Sequence, residues 1–87
     1  MPNAPDAPYK QLSFGPGELP AAFLREHRLA AGVRGELDVL AGSVTFVDAA
    51  GTPRVVRQGE RVEIPPATPH HLEDAEDATL RLSFFRV

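Results

Sequence analysis

The sequence predicts a small all-β domain, either a sandwich or a barrel of short strands. Runs that alternate apolar and polar residues recur at intervals of about eight residues after Gly32. Seven glycines and nine prolines punctuate the chain, and they favour turns between short strands. A chain of 87 residues has room for one core, and at this size roughly 60–65% of the unfolded surface becomes buried. We therefore expect one domain of marginal stability, which a partner subunit would help to stabilise.

Residues 1–18 are predicted to form a proline-rich N-terminal arm, and residues 19–87 the barrel domain. Five of the nine prolines lie in the first 20 residues, and proline cannot donate a hydrogen bond to a strand ladder. The arm has space for one short edge strand, around Gln11 to Phe14.

The segment from Leu19 to Gly32 has two interpretations. Pro20 at a first helical turn, the helix-forming run AAFLREHRLAA and Gly32 as a stop favour a helix. As a strand, the segment would place alternate residues on one face, namely Phe23, Arg25, His27 and Leu29. The pattern alone leaves both interpretations open.

The rest of the chain carries a consistent β pattern. Strands are predicted at residues 37–41, 44–47, 54–57, 61–64, 70–72 and 79–86. Asp48 to Thr52 is typical of a hairpin loop, and Gln58 with Gly59 of a tight turn. In the last strand both faces carry apolar side chains, so we expect it to be covered on both sides.

Composition excludes several classes of function. There is no cysteine, so any metal must be held by His, Asp, Glu or water. The net charge is −3 and the arginines are scattered, which argues against a nucleic-acid partner. No apolar run approaches the ~20 residues of a membrane helix, and the N-terminus lacks a signal-like segment. We expect a soluble cytoplasmic protein with no membrane partner.

The stretch from Gly59 to Leu72 is the most informative part of the chain. A strand ends at Pro65 and Pro66, and Pro69 is followed directly by two histidines. Consecutive strand residues face opposite ways, so only one of His70 and His71 can point inward. A rigid proline corner is a good way to aim an imidazole, and neutral imidazole binds Zn, Fe, Ni or Cu. The alternative is a structural histidine that is hydrogen-bonded to backbone.

These residues resemble the motifs of a known superfamily. Gly42 closes the run LDVLAG, and Gly59, Pro65 and His70 are spaced as in the second motif of the cupins, with Ala67 where many cupins have glycine. More closely, FLREHRLAAGVRGELDVLAGSVTF, IPPATPHHLE and LSFFRV resemble the TehB/YeaR-like small cupins. The resemblance implies a single-domain double-stranded β-helix, which is a jelly-roll-like barrel. It favours a strand over a helix for residues 23–29, and it implies a tellurite-resistance or stress-response association.

The same resemblance implies a metal site. His27 and His70 match family histidines, so we expect them to hold a divalent transition metal, with Zn or Fe most plausible. Two departures predict weak or partial occupancy. The positions that supply two histidines and a glutamate in the first cupin motif are Leu29, Ala31 and Gly35. Ser83 stands where the closing strand of the family tends to carry an acid, and a hydroxyl is a weaker ligand.

Three functional hypotheses remain open from the sequence. The first is a metal-binding cupin that holds a small anion or metabolite in its barrel. The second is a metal-dependent enzyme, such as an oxygenase or isomerase, that uses open positions beside the histidines. The third is a metal-free module that binds small molecules. Glu36 and Asp38 share a strand face, which indicates solvated carboxylates more often than a catalytic pair. A homodimer is expected from the small core and the two apolar faces of the last strand.

Overall fold

The computed structural model describes residues 7–87, so the first third of the predicted arm, including Pro2 and Pro5, lies outside the described residues. Within this range the chain forms strands and one short 3₁₀ helix. These are β1 (Lys10–Phe14), the 3₁₀ helix (Ala21–Leu24), β2 (Val33–Ala41), β3 (Ser43–Val47), β4 (Pro53–Arg57), β5 (Arg61–Ile64), β6 (His71–Glu73) and β7 (Thr79–Arg86). The all-β prediction is confirmed. No helix in this range is long and apolar enough to cross a membrane.

The strands form two antiparallel sheets. One has the order β1-β7-β2-β5 and the other has the order β4-β3-β6. β7 is central to the larger sheet, where Leu82 lies opposite both Leu12 of β1 and Leu37 of β2. The edge strand predicted around Gln11 to Phe14 is present as β1, and its pairing with β7 joins the N-terminal segment to the barrel.

The hydrophobic core lies between the two sheets and follows the two-residue alternation of the strands. Its largest fully buried side chains are Leu37, Val39, Val44, Val56 and Leu80. Burying one such side chain is worth about 1.5–3 kcal/mol. On the other face of β7, Ser83 and Phe85 are also buried, and the Arg34 guanidinium lies 4.0 Å from the Phe85 ring centroid. The prediction that β7 is covered on both faces is therefore correct.

The segment from Leu19 to Gly32 is neither a continuous helix nor a strand. It begins with one 3₁₀ turn at Ala21–Leu24 and continues as extended chain with a single bridge, His27 to His70. The strand interpretation of residues 23–29 is thus wrong in extent. The facing proline corner explains this result, because Pro65, Pro66 and Pro69 have no N–H to donate and a ladder cannot propagate along them.

The predicted hairpin loop joins β3 to β4. Asp48 Oδ1 accepts hydrogen bonds from the backbone N–H groups of Ala50 and Thr52, each at 2.9 Å. Gly51 adopts a φ of +79°, a left-handed conformation that favours glycine. This loop lines one side of an open groove that also reaches His70.

Candidate functional site

The fold brings His27 and His70 into direct contact. Their backbones form a two-way bridge, in which the His27 N–H donates to the His70 carbonyl at 3.0 Å and the reverse bond is 2.9 Å. The two imidazole ring centroids are 4.3 Å apart, with the ring planes inclined at 66°. The two histidines singled out from the sequence therefore lie at one site, although 43 positions separate them in the chain (70 − 27).

Both imidazoles are oriented by the same kind of hydrogen bond. The Nδ1 atom of His27 lies 2.9 Å from the carbonyl oxygen of Arg25, and that of His70 lies 2.9 Å from the carbonyl oxygen of Thr68. A carbonyl oxygen only accepts, so each Nδ1 carries the hydrogen. In a neutral ring this leaves Nε2 with a free lone pair. Metal-binding histidines use this arrangement, because the second hydrogen bond fixes both tautomer and ring orientation.

Aromatic rings surround the histidine pair. Phe46 stacks on His70 with ring centroids 5.6 Å apart and planes within 17°, while Phe23 meets His27 edge-on at 5.3 Å. His70 is only 5% exposed. Burial lowers the pKa of His70; the hydrogen bond to Thr68 opposes this effect, and nearby His27 and His71 add to the lowering. At neutral pH His70 is therefore in its neutral form, which is the form that ligates metals.

A small cavity adjoins the two rings. Its volume is about 20 Å³, which is enough for roughly one water-sized group. Apart from the histidines its walls are apolar, and they include Phe23, Leu29, Leu37, Leu72, Leu82 and Phe84. No group of three or more His, Asp, Glu or Cys residues that could hold a metal occurs in residues 7–87. The protein offers two imidazole nitrogens here and no carboxylate.

Ser83 does not belong to this site. It lies on the outer face of the larger sheet, where its Oγ accepts a hydrogen bond from Gln11 Nε2 at 3.0 Å. The strand neighbours Leu82 and Phe84 face the histidines instead. The expectation that an acid at position 83 would complete the ligand set is therefore wrong for this fold. His71 also faces away, and its Nε2 lies 2.8 Å from the carboxylate of Glu73.

Glu36, Asp38 and Glu63 lie on that outer face too. Arg61 Nε is 2.7 Å from Asp38 Oδ1 and Arg61 Nη1 is 3.2 Å from Glu36, while Arg34 pairs with both Glu36 and Glu63. The hydrogen bond and charge of Asp38 raise the pKa of Arg61, and burial followed by the proximity of Glu36 raises the pKa of Glu63. Glu36 and Asp38 are thus members of a charge network and not a catalytic pair.

An open groove of about 540 Å³ lies on the other side of His70, between the β3–β4 hairpin loop and the proline corner. Its lining includes Phe46, Ala49, Arg54, Val62 and Pro69, with His70. Arg54 lies directly across from Phe46 in the β3–β4 pairing, which places it on the inner face of its strand. Arg54 was not among the residues singled out from the sequence, although its position two residues before buried Val56 assigns it to that face.

Two facing antiparallel sheets around a core, with a histidine pair inside, define a small cupin-type double-stranded β-helix. The family follows from the sequence match: residues 10–82 match the TehB-like domain, and the chain belongs to that family. No curated protein matches the sequence.

Solved structures with this fold include parts of larger proteins and whole small ones. TehB from Haemophilus influenzae superposes with a TM-score of 0.78 at 25% identity, over 88% of this chain and 30% of that one. A protein from Escherichia coli strain K12 also gives 0.78, at 19% identity, over 97% and 95%. A de novo designed double-stranded β-helix gives 0.53 at 18% identity, over 90% and 96%. This chain thus spans less than a third of the H. influenzae TehB structure.

Proposed function

We propose that this protein is a small metal-binding cupin domain, in which Nε2 of His27 and Nε2 of His70 hold a divalent transition metal. The observation that carries the proposal is the matched pair of Nδ1 hydrogen bonds to the Arg25 and Thr68 carbonyls, which leaves both Nε2 atoms as acceptors on adjacent rings. Imidazole suits both Zn and Fe, which are the metals proposed here. The bound ion would supply Lewis acidity toward a small anion or carbonyl group.

The ligand count sets the expected affinity. Four-ligand structural zinc sites have a binding free energy of about 10–16 kcal/mol, so two imidazoles should supply about half of that free energy. The corresponding Kd is on the order of micromolar to a few hundred micromolar. Water or a small anion would fill the remaining positions, since within residues 7–87 no third side-chain ligand joins the pair.

Metal uptake by protein without a histidine tag tests the proposal. The protein is stripped with chelator and dialysed against Zn, Fe(II) or Mn(II) salts, and its metal content is measured by mass spectrometry together with calorimetric titration. We expect one ion per chain in the wild type. His27→Ala and His70→Ala should each lower the affinity by at least about tenfold, because each removes one of two ligands.

His71→Ala is the matched control, because it removes the neighbouring imidazole that faces away from the pair. It should bind metal as the wild type does. A wild-type protein that takes up no metal under any of these conditions would contradict the proposal. Equal loss in His71→Ala would contradict the assignment of His27 and His70.

The remaining expectations stay predictions. A metal-free small-molecule binding module is a second candidate, and the open groove beside His70 supports it. A cytoplasmic location stays an expectation from the sequence composition, and a tellurite-related role rests on the family resemblance. One reason for expecting a homodimer is removed, because both apolar faces of β7 are already covered within the chain. The edge strands β1 and β5 of the larger sheet still offer unpaired backbone groups for subunit contacts. A sedimentation measurement at micromolar concentration would test the homodimer.

A further inference from the structure

The groove beside His70 contains one cationic side chain that has no ion-pair partner among residues 7–87. Asp48 uses its carboxylate to accept two backbone N–H groups of its own loop. Glu63 pairs with Arg34. Arg54, by contrast, forms no ion pair or side-chain hydrogen bond with any part of the chain between residues 7 and 87. The groove therefore presents a single available guanidinium.

Arg54 is held at a defined place in the groove. Its backbone is part of β4, and its Cα partner across the ladder is Phe46. Phe46 in turn stacks on His70. A guanidinium, an aromatic ring and an imidazole thus line the same groove. Arg54 and Phe46 lie on the paired strands β4 and β3, and His70 lies in the backbone bridge to His27.

The walls around this row are mainly apolar. Ala49 and Ala50 belong to the hairpin loop, Pro65 and Pro69 belong to the corner, and Val62 forms part of the base. A volume of about 540 Å³ falls within the roughly 300–1,000 Å³ range of small-molecule sites. One cation beside an apolar surface suits a monoanion with an apolar body, whereas a phosphate dianion is usually held by several cations or by a nest of amides.

We propose that this groove binds a small organic carboxylate, with its carboxylate group on the Arg54 guanidinium and its apolar body against Phe46 and the proline corner, next to His70. The planar fork of arginine matches the two oxygens of a carboxylate. The inference goes beyond the proposed metal site, since it names a ligand class for the adjoining groove, and the contacts with Arg54 and Phe46 do not require an ion.

Nitrogen–proton correlation NMR on chelator-stripped protein tests this assignment, with benzoate as the probe and benzamide as its neutral analogue of the same shape. Benzoate should cause saturable shifts at the amides of Phe46, Thr68 and His70. Arg54→Ala should weaken benzoate binding about fivefold, which corresponds to roughly 1 kcal/mol for one solvent-exposed charge-assisted contact. Arg54→Lys should retain part of the affinity, because it keeps the charge without the fork.

Arg57→Ala is the matched control, since Arg57 lies on the same strand with the opposite side-chain direction. It should change benzoate affinity by less than about twofold, within the range of a remote surface charge. Equal affinity for benzamide, equal weakening by both alanine variants, or no saturable shifts would overturn the inference.

The same samples separate this inference from the proposed metal site. Benzoate binding through Arg54 in a protein that takes up no metal would support the inference while the metal proposal fails. Metal uptake that depends on His27 and His70, without any Arg54-dependent benzoate binding, would give the reverse result.

Discussion

Replacing Gly42 with alanine should cost far more stability than the same change at Gly51, although both glycines have left-handed backbones. Their φ angles are +73° and +79°. An ideally placed Cβ at position 42 would lie 2.6 Å from the carbonyl oxygen of Asp77 and 3.2 Å from the Cα of Ala78. At position 51 it would meet nothing within 4 Å. The pair therefore separates backbone conformation from steric fit.

The expected losses of stability follow from the backbone conformation at each position and from the steric contact at position 42. An alanine in the left-handed region costs about 1–2 kcal/mol, and the smaller entropy of the unfolded chain returns about 0.4–1 kcal/mol. Gly51→Ala should therefore lose about 1 kcal/mol. At position 42 the backbone around Asp77 and Ala78 must also shift, which adds about 1–3 kcal/mol as in other overpacked sites. Gly42→Ala should lose about 3 kcal/mol, out of a total of roughly 4–13 kcal/mol for a chain of this length.

Urea unfolding followed by far-ultraviolet circular dichroism measures both values, since the chain contains no tryptophan to report by fluorescence. In thermal scans the difference should be plain, with a loss of roughly 5 °C for Gly51→Ala and about 15 °C for Gly42→Ala. Gly59→Ala is a second control with open space around the new methyl group. If Gly42→Ala destabilises the protein no more than the two controls do, the close approach of the Asp77 carbonyl does not restrict the residue at position 42.

Two further predictions concern the candidate site. Because burial lowers the pKa of His70 below 6.5, the unfolded chain binds a proton at a pH where the folded chain does not. The contribution of His70 to the free energy of unfolding should be complete above about pH 6.5 and should decrease as the pH falls from there toward the pKa of His70 in the folded state. His70→Gln should flatten this pH dependence. An unchanged slope of unfolding free energy against pH, measured by urea titrations, would contradict the prediction. Ser83→Asp should leave zinc uptake unchanged and cost roughly 2 kcal/mol, since it buries a carboxylate opposite Glu36. The Ser83→Ala control should lose only about 1 kcal/mol with the Gln11 hydrogen bond. A gain of zinc affinity in Ser83→Asp would show that position 83 faces the histidines after all.

The strands could be predicted from sequence because their pattern is local. β7 begins and ends at the predicted residues, and the Asp48–Thr52 loop joins the predicted hairpin. The segment before β2 could not be predicted in the same way. The backbone groups of this segment form ladder hydrogen bonds only where the facing chain has N–H donors as well as carbonyls. The corner has few N–H donors because it is rich in proline. The short 3₁₀ turn and the single bridge are set by that distant partner and not by the propensities of the segment.

The candidate site was predictable in part for a related reason. The resemblance to family histidines paired His27 with His70, and strand alternation turned His71 away from them. The same alternation, applied to β7, would have placed Ser83 with Arg81 and Phe85 and away from Leu82, so the position was misjudged by relying on resemblance over strand parity. Alternation from Val56 assigns Arg54 only to a face of β4, whereas its place across from Phe46 depends on the β3–β4 register, which is not visible in the strand itself.

The backbone, and not the imidazoles, positions the histidine pair. The His27–His70 bridge uses only backbone groups, and the Ala67 N–H adds a bond to the Leu29 carbonyl at 2.9 Å. Ala67 adopts a φ of +53° to make that bond, a conformation that costs a non-glycine residue about 1–2 kcal/mol. None of these three hydrogen bonds uses a histidine side chain, so we expect all three to persist when an imidazole is removed. Loss of metal in His27→Ala or His70→Ala would therefore report loss of an imidazole ligand, because the chain that carries it stays attached to the barrel.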